Sequence, residues 1–172
     1  MPANEIVGLL PGELFVHRNI SNVVSLDDPN CFSVIQYAVD ILQVRHIIVC
    51  GHFGCGGVQA ALQDRSLGLC DQWLKHVSSV RAKYREQLAQ LEDADRFDRL
   101  CQLNVIEQVL NVSRTQVVQD AWSRQQRLTI HGWIYAIGNG LQRDLGISIS
   151  VGEEASDLHQ IALANLMGNS DS

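Results

Sequence analysis

The stretch "HIIVCGHFGCGGVQAALQ", residues 46 to 63, constrains the fold more than any other part of this chain. "HIIVC" is a continuous β-branched run, the signature of a strand covered on both faces in a parallel sheet. A glycine-rich turn follows, and past Gly57 "VQAALQ" has helical character. Strand, tight turn and helix together form the repeating unit of α/β proteins, where ligands bind beyond the carboxyl ends of the strands.

The flanking segments extend this reading. "ELFVHRN" predicts a short strand at Leu14 to Val16. "DDPNCFSVIQYAVDILQV" predicts a helix: Asp28 can accept bonds from free amides at its start, and Pro29 suits a first-turn position that needs no N–H. Val34, Ile35, Ala38, Ile41 and Leu42 give it an apolar stripe. Strand, helix and strand joined by short connections imply a parallel crossover. Leu69, Trp73, Val77, Val80 and Tyr84 mark a second helix, and Leu103, Ile106, Val109 and Leu110 a third after the charged "EDADRFDR"; such stripes ordinarily pack a core. "RLTIHGWIYAIGNGLQRDLGISIS" holds two strand-like runs around Asn139-Gly140, a hairpin signal because both positions tolerate positive φ. The tail "GNSDS" is expected to fray. No repeat, low-complexity tract or linker divides the chain, so residues 1–172 read as one domain. The expected fold class is α/β: a mostly parallel sheet flanked by helices, with an antiparallel strand pair at its C-terminal edge.

Composition narrows the function. Thirteen Lys and Arg against nineteen Asp and Glu give a net charge of −6, which argues against nucleic acid or an anionic membrane as partner. "MPANEIVGLL" lacks the basic and apolar regions of a signal peptide, and no apolar run reaches the length of a membrane span. The five cysteines, Cys31, Cys50, Cys55, Cys70 and Cys101, are odd in number and scattered, a pattern of reducing compartments. The expected location is the cytoplasm.

Within the glycine-rich turn, His52 and Cys55 stand in H-x-x-C spacing. Neutral imidazole and thiolate together suit zinc, which takes N and S donors tetrahedrally. Cys50 is read as packing into the sheet. Gly56 and Gly57 would let backbone approach a small molecule, and the free N–H groups of the following helix favour an anion. Zinc beside anion-binding amides suits hydration or hydrolysis, since bound water is acidified to a pKa of about 7. The spacing alone is weak, because a lone Cys–His pair more often packs than ligates, and two donors do not complete a tetrahedron. A nucleotide cradle is a poorer fit: "GHFGCGG" matches neither G-x-G-x-x-G nor a P-loop.

These segments resemble the β-class carbonic anhydrases. "PANEIVGLLPGELFVHRNISNVV", "SVIQYAVDILQVRHIIVCGHFGCGGVQAA", "LCQLNVIEQV" and "TIHGWIYAIGNGLQRDL" look like successive family blocks from residue 2 to about residue 147. The resemblance implies reversible hydration of carbon dioxide to bicarbonate and a proton. It implies one zinc ion held by a histidine and two cysteines, with His52 and Cys55 matching the second and third ligands. Gly56 and Gly57 match glycines that line the substrate pocket. Arg18 and Tyr135 match residues that, in some bacterial members, help hold an inhibitory bicarbonate. A homodimer, often paired into tetramers, is implied as well.

The departure from the family pattern lies at the start. Members carry Cys-Ser-Asp-Ser-Arg-Val immediately before Pro-Ala-Asn, where this chain has Met1 alone. The first cysteine ligand, the catalytic Asp–Arg pair, a strand central in the family sheet and the N-terminal helices therefore have no counterpart here, and no catalytic residue is identifiable within the chain. Removing a central strand leaves backbone groups unpaired at about 1–3 kcal/mol each when buried, against a total stability of about 5–15 kcal/mol. The expectation is that translation of the natural protein starts upstream, at a site the reading frame would reveal. The family residue aligned with Met1 is valine, and one valine codon, GUG, can also serve as a bacterial start. For residues 1–172 alone the expectation is negligible activity. Two alternatives stay open: a truncated, non-catalytic partner subunit, and a carbon disulfide hydrolase on the same scaffold.

Overall fold

The computed structural model describes residues 3–153 and 155–168; the "NSDS" part of the tail expected to fray lies outside them. The chain opens with the short helix α1 (Ala3–Val7). The strand expected at Leu14–Val16 does not form. This segment is extended but joins no sheet, because a strand needs a neighbour for its N–H and C=O groups and no described residue is laid beside it. Phe15 and Val16 accordingly stay about half exposed, at 48% and 46%. The crossover expected from this strand is therefore absent too.

A single 3-10 turn, Ile20–Asn22, leads to α2 (Pro29–Gln36). Asp28 caps α2 as expected, its carboxylate accepting from Asn30 N at 3.0 Å, with Pro29 in the first turn. The apolar stripe then slips. Residues Tyr37–Ile41 form a π-helical turn, and the wider turn shifts every later side chain around the axis. Ala38 and Val39 are buried, whereas Ile41 and Leu42 face outward.

β1 (His46–His52) is followed by α3 (Gly56–Leu62), α4 (Cys70–Lys83), the single turn α5 (Arg85–Leu88) and α6 (Asp93–Ser113). The chain then runs through α7 (Gln116–Ser123), β2 (Thr129–Ala136), β3 (Leu141–Ile149) and α8 (Ala155–Gly168). The sheet order is β1-β2-β3: β1 and β2 are parallel, joined by the α3–α7 crossover, and β2 and β3 form the expected antiparallel pair. Their connection spans residues 137–140, and of Asn139 and Gly140 only the glycine takes positive φ, at 72°.

β1 was expected to be covered on both faces; here it is an edge strand covered on one. α6 packs against that face so closely that a Cβ on Gly51 would lie 2.5 Å from Val105 Cγ2, and one on Gly132 would lie 3.1 Å from Val109 Cγ2. The other face leaves His46 and Cys50 exposed. Cys50 therefore does not pack into the core as expected; its thiol lies 3.6 Å from Gln142 Nε2.

α6 is the spine. One apolar cluster joins it to α2, α7 and the sheet through Ile35, Val39, Val109, Ile130 and Ile147, and a second joins it to α3 and α4 through Val58, Leu74, Val77 and Leu103. Of the stripe expected on α4, Val77, Val80 and Tyr84 are buried and Leu69 is fully exposed. α8 is tied on by a buried polar knot. His159 Nε2 lies 2.8 Å from Glu107 Oε1, Tyr84 donates to the same oxygen at 2.5 Å, and Lys83 Nζ stands 2.8 Å from both carboxylate oxygens. No helix among the described residues is long and apolar enough to cross a membrane.

Candidate metal centre

His52 is the last residue of β1, and the turn beyond it is pinned to the sheet by Phe53 N donating to the Tyr135 carbonyl at 3.0 Å. The His52 ring turns its Nδ1 to the carbonyl of Phe53 at 2.9 Å. A carbonyl only accepts, so the ring proton sits on Nδ1 and the lone pair on Nε2. That is how histidines are oriented for metal ligation, with the far nitrogen held by an oxygen acceptor. Gly54 closes the turn at φ 71°, a conformation that side chains other than glycine rarely adopt.

Cys55 occupies the N-cap of α3 and is 5% exposed. Two groups touch it that the sequence did not single out. Ser21 Oγ lies 3.6 Å from its sulfur, from a residue held at φ 63° and ψ 28°. That strained turn is fixed by Asn104 of α6, whose Nδ2 donates to the Ser21 carbonyl at 2.8 Å. Cys101, also on α6, accepts from the Cys55 backbone N–H, and burial pushes its own thiol up to about 12, so it stays protonated. No motif marks Ser21 or Cys101, because each reaches the site from a different element.

The two neighbouring glycines play different parts. A Cβ on Gly57 would stand 2.3 Å from Ser21 Oγ, 3.0 Å from Ile20 Cγ2 and 3.2 Å from Leu74 Cδ2, so Gly57 is what allows the Ile20–Asn22 turn to rest on α3. A Cβ on Gly56 would meet nothing within 4 Å. Beside Gly51, Asn22 carries a buried Nδ2 with no hydrogen-bond partner among the described residues. Tyr135 is the register partner of His52 on β2 and is buried, while Arg18 lies on the extended segment and lines a cleft with His17, Asn19, Cys70 and Trp73.

Imidazole and thiolate at one strand end fit two corners of a tetrahedral zinc site. Among the described residues no group of three or more His, Cys, Asp or Glu side chains is placed to hold a metal ion. The residues in hand therefore supply half a site. All five cysteines are free thiols.

The carbonic anhydrase family model matches residues 1–142. A carbonic anhydrase of Emericella nidulans is 48% identical over 148 residues, which is 86% of this chain and 65% of that protein. One from Pseudomonas aeruginosa is 38% identical over 76% of this chain and 61% of its own length. The chain thus spans less than two thirds of the length of these relatives. Among solved structures, the Coccomyxa β-carbonic anhydrase bound to acetazolamide superposes with a TM-score of 0.86 at 37% identity, covering all of this chain and 79% of that one. A tetrameric β-carbonic anhydrase from Sordaria macrospora gives 0.81 at 38% identity, over 86% of this chain and 76% of that one. With its family blocks, its mixed sheet and the His52–Cys55 strand end all in agreement, the chain belongs to the carbonic anhydrase family, in its β class.

Proposed function

We propose that this chain is the larger part of a zinc-dependent enzyme that hydrates carbon dioxide reversibly to bicarbonate and a proton. The observation that carries the reading is the His52 ring, locked by the Phe53 carbonyl with its Nε2 lone pair free, three residues from the buried Cys55 thiol. Zinc held there would acidify a bound water near neutral pH. His52 and Cys55 are two of its protein ligands, and the third comes from outside residues 3–168, consistent with relatives of greater length. Gly56, open on its Cβ side, borders the space for bicarbonate, and Gly57 shapes that space by seating the Ser21 turn. Arg18 and Tyr135 are candidates for a second, regulatory bicarbonate. The whole of residues 1–172 acts as one domain of a cytoplasmic homodimer or tetramer, in keeping with free thiols and with tetrameric structural relatives.

Stopped-flow carbon dioxide hydration tests this on two proteins, residues 1–172 and the same chain extended through its upstream reading frame. The extended protein should carry about one zinc per chain, and Cys55→Ser or His52→Ala should lower both zinc content and hydration by at least about 100-fold. Residues 1–172 alone should not exceed the buffer rate. A zinc-free extended protein, or an unimpaired Cys55→Ser variant, refutes the reading and leaves a non-catalytic partner subunit in its place.

A further inference from the structure

The turn that carries Ser21 to Cys55 is gripped from two helices. Trp73 of α4 donates through Nε1 to the Ile20 carbonyl at 2.8 Å, and Asn104 of α6 donates through Nδ2 to the Ser21 carbonyl at 2.8 Å. Asn104 belongs to a polar ladder along α6. Its Oδ1 accepts from Gln108 Nε2 at 3.2 Å, and Gln108 Oε1 accepts from Val24 N at 2.9 Å and from Asn111 Nδ2 at 3.0 Å. Asn111 Nδ2 also donates to the Val24 carbonyl at 3.0 Å, so α6 holds the chain at both Ser21 and Val24. Ser21 sits at φ 63° and ψ 28°, a conformation that glycine adopts freely and other residues only under strain. The position nonetheless carries a hydroxyl, and that hydroxyl is buried 3.6 Å from the Cys55 sulfur. Strain of this kind persists where the surroundings impose it, and it clusters at functional sites.

We propose that Ser21 is a positioning residue for the metal-binding thiolate, its hydroxyl donating a hydrogen bond to Cys55 Sγ. The proposal rests on the zinc reading above and deepens it. Charge sets the direction of the bond: a thiolate bound to a metal carries no proton and only accepts, so Ser21 is the donor. At 3.6 Å the contact is long for an oxygen acceptor but within reach of the larger sulfur. A donated proton draws charge from the sulfur and orients its remaining lone pairs, so the ligand keeps its aim and gives less charge to the ion. Because α4 and α6 hold the turn through contacts of their own, the donor does not have to be recruited by the ion.

Co2+ in place of zinc is the probe, since thiolate bound to it absorbs by charge transfer in the near ultraviolet, at an energy that reports the charge on sulfur. The protein is the chain extended through its upstream reading frame. Two variants remove the hydroxyl with opposite effects on the turn: Ser21→Ala keeps the strained φ, whereas Ser21→Gly relieves it. Both should move the band to longer wavelength and weaken Co2+ binding at least about tenfold. A serine that only supports the turn would leave the band in place and let Ser21→Gly bind Co2+ as tightly as wild type. Either of those results overturns the proposal. A wild-type extended protein with no charge-transfer band is a separate failure: it sinks the zinc reading itself, and this proposal with it.

Discussion

Replacing Gly57 by alanine tests whether the turn at the metal half-site is held by packing. The new methyl would arrive 2.3 Å from Ser21 Oγ, over 1 Å inside ordinary contact. Ser21 has little room to retreat: it is buried, sits at φ 63°, and its carbonyl is bound by Asn104. Overpacking of this kind costs about 1–3 kcal/mol. With a urea m-value of about 2 kcal/mol/M, the unfolding midpoint should fall by about 0.5–1.5 M. Gly56→Ala is the internal control. It adds the same methyl to the same helix turn with nothing within 4 Å, so it should be neutral or stabilise by up to about 1 kcal/mol. Removing the obstructing hydroxyl in Ser21→Ala/Gly57→Ala should recover part of the loss, giving a coupling of at least about 0.5 kcal/mol. Urea unfolding followed by tryptophan fluorescence measures wild type, the two glycine variants, the double variant and Ser21→Ala alone, which closes the cycle. Equal midpoints for the two glycine variants, or no coupling with Ser21, would refute the packing argument.

Two further outcomes follow from the same physics. Burial alone would raise the Glu107 carboxyl, but His159, Lys83 and Tyr84 together draw it down from 4.5 to about 2. A folded value below the unfolded one means that the stabilisation is complete above about pH 4.5 and lost as pH falls toward 2, up to about 3 kcal/mol in all. Glu107→Gln should flatten that limb of the acid-unfolding curve measured by circular dichroism, and an unchanged limb would contradict the assignment. Gly132→Ala should destabilise by about 1–3 kcal/mol, since its methyl would meet Ile147 Cγ2 at 2.6 Å and Val109 Cγ2 at 3.1 Å. Chemical unfolding checks it, and a wild-type midpoint would mean that Ile147 of β3 and Val109 of α6 both yield to the methyl.

Local chemistry made much of this protein readable in advance. Asp28 and Pro29 fix the start of α2 because a cap and a first-turn proline act within one turn of chain. The 21-residue α6 is legible because its apolar spacing persists over many turns, and the C-terminal hairpin because strand-forming runs flank a turn-forming pair. His52 and Cys55 could be singled out because three residues separate them. What tertiary structure alone decided is everything that depends on a distant neighbour. Leu14–Val16 has strand composition, yet a strand exists only where another lies beside it. The π turn at Tyr37–Ile41 rotated a stripe that would otherwise have continued, exposing Ile41 and Leu42. Cys50 faces outward because no described element covers that side of β1. Ser21 reaches Cys55 across 34 positions, and His46 reaches His131 across 85, through contacts created only when the chain folds. Periodicity and capping are written within a few residues; pairing, burial and convergence belong to the assembled fold.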